Sequence, residues 1–180
     1  MKKILSVILT FAMLASLLAA CGGNSAEEDT KPAENVEGSM EELLNKVLQE
    51  QPVEFAGGVT VLDLSDTSEE GQWALKSYTG LDSADSITEA AVYEPMMNAI
   101  AFSMVMVRVA PDGDGKAVAE AMKAGIDPRK WICVEADDLL VAGFGDVVML
   151  IMVDSTRETP AQSFVDACQK AVGMEPAFVI

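Results

Sequence analysis

Three kinds of side chain in this 180-residue sequence have types and spacings that could support chemistry: carboxylates, thioethers and thiols. Histidine is absent. That removes Ser-His-Asp and Cys-His catalysis in their usual forms and most zinc sites, because imidazole is the common base and ligand in them. No Ser-x-x-Lys or Gly-x-Ser-x-Gly phrase places a serine beside a lysine base. Asp112-Gly113-Asp114-Gly115 alternates carboxylates as a calcium loop does, yet an EF-hand starting at Asp112 needs oxygen ligands where Lys116 and Lys123 stand. The segment reads as a polar turn whose Asp114 caps the next helix. Glu135 with Asp137-Asp138 reads as a solvated loop before a buried strand, since charged residues are seldom buried unpaired. Thioethers outside the cytoplasm bind Cu(I), and strand alternation puts Met104 and Met106 on one face. Met96, Met97, Met104, Met106, Met149 and Met152 nevertheless sit in apolar surroundings without histidine, where methionine fills irregular cores. Trp73, Tyr78, Tyr93 and Trp131 offer the rigid contact area of a carbohydrate or peptide groove, but core or rim packing is the commoner use of such rings. These residues yield no catalytic, metal or cofactor site.

The thiols are Cys21, Cys133 and Cys168. Cys21 has the most informative setting. Lys2 and Lys3 precede an apolar run from Ile4 to Leu17, which ends in Leu18-Ala19-Ala20-Cys21-Gly22-Gly23. A charged start, a short apolar stretch and small residues make an export signal. The placement of cysteine directly after Leu-Ala-Ala resembles the lipobox of bacterial lipoproteins. That resemblance implies cleavage between Ala20 and Cys21, a diacylglycerol on the Cys21 sulfur and acylation of the new amino terminus. An uncharged stretch of this length could alternatively span a bilayer, though Ser6, Thr10 and Ser16 interrupt it, or be cleaved as an ordinary secretory signal. The predicted partner of Cys21 is membrane lipid, and two or more acyl chains anchor firmly. Cys133 and Cys168 lack motif spacing. Either a disulfide or a buried free thiol fits them.

Acidic residues number 29 against 12 basic, a net charge of −17, and removal of residues 1–20 takes away two of the lysines. A surface this acidic excludes nucleic acid, whose binding rests on clustered Lys and Arg. Residues 21–38 comprise the acylated cysteine and an acidic, nearly core-free segment that composition predicts to be a disordered tether. Residues 39–180 have the length of one domain.

Within that domain, Ser39-Met40-Glu41-Glu42 reads as a capping box opening a helix through Leu43, Leu44, Val47 and Leu48, stopped before Pro52. A second helix starts near Ser65 to Glu70, passes Trp73, Leu75 and Tyr78 and closes at Gly80. Ile87–Tyr93 and Ala99–Val109 read as strands, Lys116–Ile126 as a helix, and Leu139–Phe144 with Val147–Val153 as a hairpin around Gly145-Asp146. Seven consecutive apolar residues, Val147 to Val153, suggest a strand buried on both sides or central in its sheet. Thr159, Pro160 and Gln162 open the last helix, which carries Ala161, Phe164, Val165 and Cys168 on its stripe and ends at Gly173. The order strand, strand, helix, repeated once, predicts an α+β fold of two layers. Its mainly antiparallel four-stranded sheet would carry helices on one face, preceded by N-terminal helices.

The signal, the acidic linker, Leu75-Lys76-Ser77-Tyr78-Thr79-Gly80-Leu81-Asp82, the strand before Ala110-Pro111-Asp112-Gly113, and the closing hairpin and helix together resemble bacterial lipoproteins with an extracytoplasmic domain of unknown function, the family numbered 4358. The likeness runs from about residue 40 to 173 and implies a fold and a location without active residues. The expected role is therefore a lipid-anchored binding or interaction module on the extracytoplasmic face of the cell membrane, not an enzyme, with an envelope protein or peptide as partner. A small solute- or peptide-binding lipoprotein and a carboxylate-dependent enzyme are the rival readings.

Overall fold

A computed structural model describes residues 34–157 and 159–180; the signal at 1–20, Cys21 and the linker as far as residue 33 lie outside the described residues. The element order is α1 (Met40–Glu50), β1 (Gly57–Val61), α2 (Glu69–Thr79), β2 (Ile87–Pro95), β3 (Phe102–Val109), α3 (Gly115–Gly125), β4 (Asp138–Phe144), β5 (Val147–Val153), α4 (Ala161–Val172) and β6 (Phe178–Val179). The six strands form one open sheet in the order β1-β2-β3-β5-β4-β6, every neighbouring pair antiparallel.

The α+β class holds, but the four-stranded, two-layer arrangement does not. All seven residues of β5 are buried, so both faces of the sheet must be covered. Val147, Met149, Ile151 and Val153 face a core formed with Met40, Leu43, Leu44 and Val47 of α1 and Phe164, Val165 and Cys168 of α4. Val148, Leu150 and Met152 face a second core formed with Val118, Ala119 and Met122 of α3, against which Leu75 and Tyr78 of α2 pack. The helices thus lie on opposite faces, and a chain of three layers replaces the expected two. The two additional strands are β1 and β6. The former inserts between α1 and α2, so the region before β2 is not helical throughout, and the latter is only two residues long.

Capping chemistry fixes the helix starts. Ser39 Oγ accepts from Glu42 N–H while Glu42 Oε2 accepts from Ser39 N–H, a reciprocal box that satisfies two orphan donors. Asp114 Oδ1 accepts from the Lys116 and Ala117 N–H groups, the capping role read from the sequence. The last helix differs from expectation. Pro160 is its N-cap without a side-chain bond, and the Ala161 N–H instead donates to Asp138 Oδ2 at the start of β4, 2.8 Å away.

The tether assignment also needs correction at its end. Residues 34–38 belong to the domain. Val36 is 5% exposed, and its N–H donates to Asp146 Oδ1 at 2.7 Å. Arg108 Nη1 donates to the Val36 carbonyl, and its Nη2 donates to the Gly38 carbonyl. The Asp146 N–H donates to the Glu34 carbonyl. A polar composition conceals this because the segment is held by backbone groups and one valine, not by apolar mass. Gly145, at φ 55°, completes the β4–β5 turn, and a Cβ there would strike the Glu34 carbonyl.

Arg108 ties these contacts together. It pairs with Asp146 and, at 3.3 Å, with Glu89 across the β2–β3 register, and its side chain is 15% exposed. Replacing Arg108 with methionine leaves Asp146 Oδ2, on a side chain 13% exposed, and the Val36 and Gly38 carbonyls without their donor. Loss of one partner of such a pair costs about 3 kcal/mol or more. Urea unfolding of Arg108→Met is expected to show that loss, with faster proteolysis after residues 34–38. Arg108→Lys restores at most part of it, because an ammonium lacks the guanidinium fork that reaches all four acceptors. An unchanged unfolding midpoint contradicts this assignment.

Candidate functional site

The residues read as possible chemistry are mostly committed to the fold. Asp137 accepts from the Ser155 hydroxyl and N–H, which holds its carboxyl below the usual range, and Asp138 caps α4. Among the described residues, no group of three His, Cys, Asp or Glu side chains converges. Met104, Met106, Met149 and Met152 are fully buried, the first three in the α1/α4 core and the last in the α2/α3 core. Met96 and Met97 stand exposed in the β2–β3 connection. The four aromatics do not share one groove. Tyr93 packs edge-on with Phe102 in the α1/α4 core, whereas Trp73, Tyr78 and Trp131 lie on the other side, where Trp73 meets Tyr78 edge-on at 6.4 Å.

Lys130 connects that second group. Its ammonium lies 5.5 Å from both the Tyr78 and Trp131 ring centroids, donates to the Ser77 carbonyl at 3.2 Å and to Ser103 Oγ at 3.3 Å, and pairs with Glu94. Burial pushes its pKa down while Glu94 opposes the shift. A serine beside a desolvated lysine is the arrangement of a Ser–Lys nucleophile, which no local phrase in the sequence announces. Here Ser103 is fully buried, and the Glu94 carboxylate favours the charged lysine, so the cluster serves to staple the last turn of α2 to β2 and β3. No sequence signal joins Lys130 to residues 27 and 36 positions earlier.

An accessible feature of the surface is the β1 edge. Phe55 and Val59 alternate onto the α1 face and Leu62 and Leu64 onto the α2 face, which seats the segment beside β2. The Leu62 N–H donates to the Ala90 carbonyl and the Met96 N–H to the Ala56 carbonyl. In an antiparallel ladder this parity directs the backbone groups of Gly58 and Thr60 toward β2 and those of Gly57, Val59 and Val61 outward. Among the described residues, nothing bonds to those outward groups. Val61 is 59% exposed.

A tight turn follows. The Ser65 hydroxyl and N–H donate to Asp63, and Ser68 donates to Asp66, which holds both carboxyls below the usual range. Ser68 then caps α2, and Gly80 at φ 78° ends it. The turn sends α2 back over the sheet and leaves a shallow groove of about 220 Å³ between them, lined by Thr60, Leu62, Leu64, Leu75 and Tyr78 with Asp63, Asp66 and Glu70. A second groove of about 240 Å³ flanks the end of β1 on the α1 side, where Val61 meets Met40, Glu41 and Glu89. Among the described residues, neither lining contains a lysine or arginine. Both grooves are below the size usual for drug-sized ligands, roughly 300 Å³ and above. The sequence reading missed this edge because Gly57-Gly58-Val59-Thr60-Val61 is short and opens with a glycine pair that resembles a loop signal.

Cys133 and Cys168 are both free thiols, the first exposed and the second buried on the α4 stripe. Comparison with known protein families, with curated proteins and with solved structures finds no match to this chain.

Burial pushes the Cys168 thiol from 9.0 up to about 12. The unfolded chain therefore releases this proton above pH 9 while the folded chain keeps it, so stability falls as pH rises through that window. At pH 10 this group alone removes about 1 kcal/mol relative to pH 8. Urea unfolding at the two pH values is expected to show that extra loss in the wild type and not in Cys168→Ala. Equal losses in the two proteins contradict a buried neutral thiol.

Proposed function

We propose that this chain is a lipoprotein of the kind it resembles. Cys21 carries the lipid, and residues 34–180 act on the extracytoplasmic face of the cell membrane as a binding module that holds a partner without transforming it. The location rests on the sequence of residues 2–23 alone. The binding role rests on one observation, the open β1 edge with a groove on either side. Two features support binding over catalysis: Asp137, Asp138, Arg108 and Lys130 are spent on capping and ion pairing, and the grooves are smaller than those that usually enclose drug-sized ligands.

The docking of Glu34 at the β4–β5 turn also changes the anchor. Only residues 22–33 separate Cys21 from the first described contact, and that length of chain extends at most about 45 Å. The module works close to the lipid surface.

Intact mass analysis of the membrane fraction tests the anchoring. Wild-type protein is expected to carry diacylglycerol and acyl mass on a chain beginning at Cys21, and Cys21→Ala is expected to lack both and to leave the membrane. Equal membrane retention of the two proteins without a lipid mass overturns the reading.

A further inference from the structure

The geometry points to β1 as a strand-addition site for an extended peptide that is basic and apolar in alternation, an assignment that deepens the binding role proposed above by naming the partner's chemistry. Exposed strand edges are normally blunted by lysine, proline or a bulge, because unpaired N–H and C=O groups template pairing with another chain. Gly57–Val61 carries none of these, and Gly57, Val59 and Val61 direct their backbone groups outward. The opposite edge, β6, has two residues and offers little ladder.

A strand laid beside β1 sends its side chains alternately to the two faces of the sheet. On the α2 side they meet an apolar floor of Leu62, Leu64 and Leu75 rimmed by Asp63, Asp66 and Glu70. On the α1 side they meet Val61 with Glu41 and Glu89. Of these five carboxylates only Glu89 has a basic partner among the described residues. Main-chain bonds supply affinity in this mode and the flanking grooves supply selectivity. Charge selects the occupant. A second copy pairing edge to edge would set these acids against their own images on a chain of net charge −17, whereas a peptide bearing Lys or Arg at alternate positions neutralises them.

The probes are a fluorescein-labelled peptide of alternating Lys and Val, its Glu–Val counterpart, and the Lys–Val peptide N-methylated at every second residue. Fluorescence anisotropy with the full chain in detergent is expected to show that the Lys–Val peptide binds, more weakly as salt rises, and that the other two lose on the order of tenfold or more. Val61→Pro removes one outward N–H at an exposed position where an edge strand tolerates proline, so it is expected to unfold like wild type and to bind the Lys–Val peptide on the order of tenfold less tightly. Glu41→Gln with Glu70→Gln leaves the ladder intact and is expected to weaken binding by roughly threefold with a shallower salt dependence.

Equal binding of acidic and basic peptides, or undiminished binding by a folded Val61→Pro protein, overturns the proposal. So does a dimer of the full chain in sedimentation equilibrium that Val61→Pro dissociates, which would make a second copy the occupant. Lipid mass on Cys21 with no peptide binding overturns strand addition and leaves the anchoring intact; peptide binding without lipid mass does the reverse.

Discussion

The fold depends on a central strand pair that has no face to offer to water. β3 and β5 run side by side from Phe102 opposite Val153 to Arg108 opposite Val147, and every residue of β5 is buried. An antiparallel sheet can leave one side solvated when its strands alternate apolar and polar residues. This one does not alternate, so helices are required on both sides. α1 and α4 supply one cover, and α3 with the more exposed α2 supplies the other.

Two basic side chains close these covers at opposite ends of β3. Arg108 lies at the end of the strand on the α1/α4 face and holds residues 36–38, the lead-in to α1, through carbonyls and carboxylates. Lys130 lies near its start on the other face and holds the last turn of α2 through the Ser77 carbonyl while pairing with Glu94. Both are largely buried charges that gain less from attraction than they would lose from being left unpaired. Their role is to fix where otherwise thinly buried segments sit. α2 needs such a fastening, since Thr79 is its only fully buried residue. The same sparse packing leaves a groove beside β1 instead of a filled core.

Local signals carried much of this fold. The capping residues Ser39 and Asp114, the start of α2 within Ser65 to Glu70, the glycines that end α2 and α4, and the Gly145-Asp146 turn all act at short range, so a reading of neighbouring residues finds them. The unbroken apolar run at Val147–Val153 signals a strand buried on both sides or central in its sheet, and β5 is both. What stayed hidden depends on residues distant in sequence. Asp138 capping α4, Asp146 receiving Val36 and Lys130 reaching Glu94 each join positions more than twenty apart. The β1 edge was hidden for a different reason: five residues with two glycines carry too little pattern, and only pairing with β2 makes them a strand.

Strand addition at β1 requires a paired strand with a free outer side, and amide hydrogen exchange resolved by residue tests this most directly. The N–H groups of Gly58, Thr60 and Leu62 face β2 and are predicted to be protected, while those of Val59 and Val61 face outward and are predicted to exchange at rates near those of open chain. Alternating protection along this segment is the expected result. Uniform protection would mean that the edge is already covered, and uniform exchange would mean that β1 is not part of the sheet; either contradicts it.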